Sequence, residues 1–474
     1  MEDENIVQAI PNAKASEWME DNIPLFECPQ RNFEEMYYYR WWSLRKHIKE
    51  TPVGYGMTEF LVQRSYSDKY NLIACAIGHH IYESRWLRDP KYLDQIIHTW
   101  YRGNDGGPMK KMNKFSSWNA DAVLARYMVD GDKDYLLDMK KDLETEYQRW
   151  ERTNRLKNGL YWQGDVQDGM EESISGGRRK KYARPTINSY MYGNAKALSC
   201  IGILSGDEGM AMKYGMRADT LKNLVENELW NTRHQFFETM RTDSSANVRE
   251  AIGYIPWYFN LPDTTQKYEI AWKEIMDEKG FSAPYGLTTA ERRHPEFRTR
   301  GVGKCEWDGA IWPFASAQTL TAMANFMNNY PQTVLSDSVY FRQMELYVES
   351  QYHRGRPYIG EYLDEVTGYW LKGDQERSRY YNHSTFNDLI ITGLIGLRPR
   401  LDNTIEVNPL IPADKWDWFC LDNVLYHGHN LTILWDKNGD RYHCGKGLRI
   451  FVDGKEVGQA DTLTKIICEN ALKW

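Results

Sequence analysis

The sequence predicts an all-α fold, an (α/α)6 toroid barrel, with a small antiparallel β domain at its C-terminus. Three observations predict it. From about residue 31 to about residue 396, apolar residues recur at steps of three and four, the spacing that lays one face of a helix on a core. Long polar or glycine-rich stretches separate these segments, at 50–67, 104–116, 155–185, 279–309 and 355–383; loops of that length are uncommon in compact domains unless they carry function. After LRPRLDNTIEVNPLIP (397–412) the pattern changes to short alternating stretches, the period of half-buried strands.

In chain order the periodicity places helices at 31–49, 68–87, 90–103, 117–130, 133–152, 186–204, 207–228, 246–258, 263–278, 310–329, 332–354 and 384–396. Helices that alternate up and down, with functional loops gathered at one end, suit a barrel of six hairpins better than a bundle or a solenoid. The expected division is an N-terminal extension at 1–30, a catalytic barrel at 31–412 and a β cap at 413–474. In the cap, DKNGD and VDGKEV read as hairpin turns. Asp436, Asn438 and Asp440 have the spacing that begins a calcium loop, but no glutamate follows at the required distance, so a turn is expected there.

The 474 residues carry a net charge of -7, with 42% hydrophobic and 26% charged side chains, which excludes a disordered chain. That charge argues against nucleic acid as a partner, and the one basic run, RRKK at 178–181, reads as a loop edge. No apolar run approaches membrane-spanning length, so no membrane partner is expected. The N-terminus MEDENIVQAI does not read as a signal peptide; a periplasmic or secreted location would require a leader already removed, and otherwise the location is cytoplasmic. Seven cysteines are scattered without CxxC pairs or histidines at metal spacing, so neither a disulfide framework nor a metal is expected. The 18 Trp, 32 Tyr and 15 Phe often sit beside Gly, Asn, Asp or Arg, as in Trp118-Asn119, Tyr161-Trp162, Trp307-Asp308 and Trp312-Pro313. Aromatic faces with carboxylates and amides suit a carbohydrate cleft, because sugar C–H patches stack on rings while hydroxyls need polar partners.

Hydrolysis of a glycosidic bond needs two carboxylates across the scissile bond, one protonated and one ionised. One cluster, QDGMEESISGG at 167–177 with Asp165 just before it, offers Asp168, Glu171 and Glu172; a second, GEYLDEVTGYW at 360–370, offers Glu361, Asp364 and Glu365. Crowded acids raise one another's pKa, so the first cluster is either a solvated loop or an acid site.

The segments GMEES (169–173), CEWDGAIWPFASAQTL (305–320), EYLDEVTGYW (361–370) and NHSTFNDLIITGLIGLRP (382–399), in this order, resemble the (α/α)6-barrel glycoside hydrolases. The nearest are family 63 α-glucosidases, family 37 trehalases and the bacterial mannosylglycerate-hydrolase-like group. The resemblance implies that Glu171, preceded by Gly169 and Met170, is the general acid, although the relatives usually carry Asp there and Asp168 and Glu172 flank it. It implies that Glu361, followed by Tyr362, Thr367 and Gly368, is the base. It also makes Trp307, Asp308 and Trp312 of the WDG-x-x-WP segment sugar contacts, with Gln318 further along its helix facing the core.

The residues agree with this reading. Glu171 among acids and near Trp162 or Trp312 would have a raised pKa, and Glu361 near Arg377 or Arg379 would stay ionised. Trp118 and Trp162 join the substrate-binding set, and His383 could orient Glu361 or the substrate. The function expected is an inverting, exo-acting glycosidase on an oligosaccharide or glycoside, needing no cofactor. Two alternatives use the same scaffold. Sugar epimerases use histidine pairs, for which His79, His80, His353 and His383 are candidates, and polysaccharide lyases use Tyr, His, Asn and Arg, for which Arg354, Arg356, Arg377 and Arg379 cluster. A non-catalytic carbohydrate-binding scaffold is the third reading.

Overall fold

The computed structural model describes residues 8–265, 267–301 and 304–472. The first seven residues of the expected extension and the last two of the expected cap lie outside them. Among the described residues, twelve α-helices follow in order: α1 (Ala15–Asn22), α2 (Arg31–His47), α3 (Ile77–Ser84), α4 (Pro90–Arg102), α5 (Asn119–Asp130), α6 (Lys133–Asn154), α7 (Pro185–Ser205), α8 (Glu208–Leu224), α9 (Ile255–Tyr258), α10 (Pro313–Asn329), α11 (Asp337–Ser350) and α12 (Asn387–Leu389).

Local chemistry sets several boundaries. Asp89 accepts from Lys91 N–H ahead of Pro90, Asp132 from Tyr135 N–H and Asp207 from Met210 N–H, so α4, α6 and α8 each start on a side-chain cap. Gly131 and Gly206 close α5 and α7 in the left-handed conformation. Five expected helices are markedly shorter than their periodicity, with 332–354 forming only as α11 before Tyr352–His353 turn into a hairpin. The segment 68–87 becomes a 3-10 turn at Ala74–Ala76 running into α3, because Tyr70 and Asn71 before it have φ of 64° and 67°. The segment 246–258 contracts to a 3-10 turn at Ala251–Tyr254 and α9, after Asn247 at φ 55°. The segment 263–278 keeps only a 3-10 helix at Glu269–Ile275, and 384–396 becomes α12 continued by a π turn at Ile390–Leu394.

The helices pack in a closed circuit: α3 on α5, α5 on α7, α7 on α9, α9 on α10, α10 on α12 and α12 back on α3. Chain neighbours flank this circuit, with α4 on α3, α6 and α8 on α7, and α11 on α10 and α2. The Glu269–Ile275 turn sets Trp272 against Tyr254 and Trp257 of the α9 segment, at centroid distances of 4.6 and 5.4 Å. Trp118, expected in the sugar cleft, lies instead at the centre of the circuit. It is fully buried, with His79, Tyr190 and Tyr258 at 5.0, 4.8 and 5.7 Å. A Cβ at Gly78 would fall 2.2 Å from the Trp118 ring, so that close approach requires glycine.

The C-terminal sheet is antiparallel. Its strands are β1 (Leu25–Glu27), β3 (Trp418–Tyr426), β4 (His429–Asp436), β5 (Gly447–Val452) and β6 (Lys455–Ala460), in the spatial order β1-β3-β4-β5-β6. Phe26 stands opposite Leu421, Leu421 opposite Ile433 and Ile433 opposite Ile450. A separate pair joins β2 (Ile405–Val407) to β7 (Ile466–Cys468). The sheet therefore recruits β1 from the segment expected as an extension, and the separate pair recruits β2 from the segment expected as barrel. Trp416 joins cap and helices, packing on Phe26, Phe33 and Phe341. At 436–442, Asp436 accepts from the N–H groups of Gly439, Arg441 and Tyr442, which makes it the organiser of a turn. Among the described residues no helix is long and apolar enough to cross a membrane.

Candidate functional site

A cavity of about 310 Å³ collects residues from several loops, including Glu59, Glu171, Trp312, Glu361 and His383. The acidic loop shows how Glu171 reaches it. Val166–Asp168 form one 3-10 turn capped by Asp165, and Gly169 reverses the chain at φ 74°. Met170 buries its side chain, and Glu171 then lines the cavity.

The other acids of this loop go elsewhere. Asp168, expected in the catalytic set, is fully buried against Arg184 at 2.6 Å and accepts from Ser116 at 2.7 Å and from Thr186. Arg184 also reaches the Ser173 and Ser175 hydroxyls at 3.4 and 3.3 Å. Both Asp168 oxygens are thus occupied, and the residue anchors the loop to the start of α7. Glu172, at φ 68°, pairs with Arg178 of the RRKK run. Burial pushes the Glu171 carboxyl from 4.5 up to about 7, and the Glu361 and Asp165 charges add to the rise.

Glu361 is buried and faces two cations, Lys372 Nζ at 3.1 Å and Arg377 at 3.4 Å. Its loop is fixed by reciprocal backbone bonds between Leu363 and Ile311, both 3.0 Å. Arg377 therefore supplies the guanidinium that the sequence left open between Arg377 and Arg379. Arg379 lines a different cavity, with its guanidinium 4.8 Å from the Tyr380 ring.

Of the WDG-x-x-WP segment, Trp312 lines the cavity while sandwiched between Trp307 and Tyr362, each centroid 4.7 Å away at 24° and 16°. Trp307 backs Trp312 and is buried. Asp308, expected as a sugar contact, is fully buried and accepts from Arg300 N–H at 2.8 Å. Trp162 is half-buried with Lys181 over its face at 4.3 Å, outside the cavity lining. Gln318 is buried and donates to the Tyr190 hydroxyl at 2.7 Å.

His383 lies in the wall beside Tyr381 (4.0 Å), Phe314 (5.7 Å) and Trp312 (6.1 Å). Burial holds it well below the usual histidine range, so the ring is neutral. Neither of its nitrogens has a hydrogen-bond partner among the described residues. His80 instead bonds the Asn382 carbonyl at 2.7 Å, and His79 is packed between Trp118 and Phe314.

Sequence reasoning missed Glu59, Lys114, Lys372 and Tyr381 of this region. Glu59 is buried, with the Cys75 thiol at 3.5 Å and the Tyr381 hydroxyl bonded to it. Burial raises its carboxyl to about 8, with the Glu361 and Glu171 charges adding. The available signal was its place in GMTEF, inside one of the long loops.

Residues 69–384 match the model of the mannosylglycerate hydrolase MGH1-like glycoside hydrolase domain. The chain belongs to this family. It is thus a glycoside hydrolase domain, and residues 397–458 match the C-terminal domain of glycosyl hydrolase family 65. A solved structure titled "Sialidase" is 95% identical with a TM-score of 0.99, covering 99% of this chain and 44% of that one. The chain thus spans less than half the length of that relative. A family 63 mannosylglycerate hydrolase from Thermus thermophilus, complexed with glucose, aligns at 13% identity and TM-score 0.54, covering 75% of this chain and 99% of that chain. A family 78 rhamnosidase from Bacillus sp. GL1 aligns at 11% identity and TM-score 0.57, covering 90% of this chain and 41% of that chain. At these identities the last two speak to the fold alone.

Proposed function

We propose that this glycoside hydrolase is an (α/α)6-barrel enzyme that inverts the anomeric centre and acts on chain ends. Glu171 protonates the leaving oxygen, and Glu361 takes a proton from water on the opposite sugar face. The closed circuit of six helices with flanking partners supports the barrel reading. One observation carries the assignment of roles: in a single cavity, burial lets Glu171 keep its proton up to about pH 7 while Glu361 sits between Lys372 and Arg377. One carboxyl desolvated and the other ion-paired are the unequal surroundings that acid and base require.

Trp312, covered on both faces by Trp307 and Tyr362, offers the sugar a rigid apolar edge, and neutral His383 in the wall holds a donor and an acceptor that no described residue uses. Glu59, protonated at neutral pH, offers a further donor. A volume of about 310 Å³ is at the small end of ligand sites, which favours one terminal residue over an open groove.

The test is proton NMR of reaction mixtures with a panel of aryl glycosides that includes mannosides, rhamnosides and sialosides, plus mannosylglycerate. Release of a sugar of inverted configuration, lost in both Glu171→Gln and Glu361→Gln, is the expected result. Release with retained configuration, or turnover that survives Glu361→Gln, overturns the mechanism.

A further inference from the structure

A second cavity, about 940 Å³, opens next to the catalytic one and takes no part in the chemistry above. Helix α2 contributes Tyr39 and Trp42, the hairpin 352–357 contributes His353, Arg354 and Arg356, and the segment 373–380 closes the third side. Tyr39 and Trp42 are half-buried and stacked, with centroids 5.9 Å apart at 27°. The Tyr380 ring meets Trp42 edge-on at 5.6 Å, which fixes the platform. The ring area that Tyr39, Arg45 and Lys46 leave uncovered is a rigid apolar surface for a sugar.

The charges around the platform are mainly positive. Arg354, Arg356 and Arg379 are exposed at the rim, against the two carboxylates Asp374 and Glu376. Asp374 is already taken, by Arg354 at 2.8 Å, the Tyr369 hydroxyl at 2.8 Å and His353 at 3.4 Å. Lys46, buried and donating to Asn12 at 3.0 Å, lies over the Trp42 ring at 4.3 Å and is not part of the cavity lining. In a chain of net charge -7, this local excess of guanidinium groups beside aromatic faces marks a place for an anionic ring substituent. The partition between the cavities is one segment. Lys372 and Arg377 turn to Glu361, while Asp374, Glu376 and Arg379 line the second cavity.

We propose that this cavity is a non-catalytic binding site for an acidic sugar residue of a glycan, with Arg354 and Arg356 taking the carboxylate or sulfate and Tyr39 and Trp42 the ring face. A glycan held there would lie against the wall that carries the two cations of Glu361.

Calorimetric titration of the wild-type protein, with chromatography showing that the probes come through uncleaved, tests the site without relying on the acid and base assignments. The probes are a galacturonate tetrasaccharide, a chondroitin sulfate tetrasaccharide and neutral maltotetraose. At least one acidic probe is expected to bind with Kd of about 1 mM or tighter. The same probe should lose about tenfold in affinity with Arg354→Ala and Arg356→Ala combined, and weaken in high salt. Binding of the galacturonate probe, which has only carboxylates, identifies the carboxylate; binding of chondroitin sulfate alone, which carries both groups, points to sulfate. Should the double variant unsettle the hairpin, Arg356→Gln alone must move affinity in the same direction. Equal binding of maltotetraose, undiminished affinity in the arginine variants, or no binding of either acidic probe overturns the proposal.

Discussion

Glu171→Gln is expected to abolish turnover and, at alkaline pH, to make the protein harder to unfold. The folded state raises the Glu171 carboxyl from 4.5 to about 7, chiefly because burial disfavours its charged form. A carboxyl raised in the folded state favours folding relative to its ionised form below its unfolded pKa. That contribution is lost as pH climbs through the folded value, here between about 4.5 and 7. The shift corresponds to roughly 3 kcal/mol at 1.36 kcal/mol per pH unit, and partial exposure to cavity water reduces this to about 2 kcal/mol. Glutamine cannot ionise, so the variant escapes the loss. With an unfolding entropy of about 2.1 cal/mol/K per residue over 474 residues, the Tm difference should move by about 2 °C in the variant's favour between pH 5 and pH 8.5. Scanning calorimetry of both proteins at the two pH values measures it. Glu59, raised to about 8, titrates in both proteins and largely cancels in the difference. Parallel Tm profiles, or a variant that loses ground at pH 8.5, would refute desolvation as the source of Glu171's raised pKa.

The same protonation should appear in the kinetics: kcat/KM falls as pH rises through about 7, because the proton that Glu171 must donate is gone, and a pH–rate profile without an alkaline limb near there counts against it as the acid. Asp168→Asn should behave as a stability variant, since it removes the direct ion-pair partner of the buried Arg184 guanidinium and leaves only the charges of Glu250 and Asp165 nearby; a loss of about 3 kcal/mol is expected in denaturant melts, and an unchanged midpoint would show that the pair holds nothing. Trp312→Ala should raise KM by removing the rigid apolar edge held between Trp307 and Tyr362, and unchanged KM across the glycoside panel would remove it from the subsite. Exposed Cys444 should react with a thiol reagent well before Cys75 and Cys305, whose thiols burial raises, so rapid labelling of Cys75 would contradict the closed cavity.

What the sequence disclosed was local, and what it concealed was pairing between loops. Helix periodicity and capping aspartates depend on neighbours three or four residues away, so α4, α6 and α8 stand close to where the pattern put them. Tyr70 and Asn71, in contrast, leave the helical region although the surrounding periodicity runs on. The cap's hairpins were legible from their turns. That β1 adds a strand from nearly 400 residues upstream was not, because a three-residue strand has no period of its own. The acidic loop makes the same point within one turn of chain. Asp168, Glu171 and Glu172 are nearly equivalent as sequence, yet Arg184 takes the first, the cavity receives the second and Arg178 draws out the third. Gly169 at φ 74° and Glu172 at φ 68° turn the three side chains apart, and each partner arrives from another segment. Crowded carboxylates therefore located the loop, while the choice of acid was made by whichever side chain the fold left in the cavity without a direct ion pair. Glu59, an isolated glutamate in GMTEF, reaches that cavity with no crowding to announce it, because its raised pKa comes first from burial and only then from neighbouring charge.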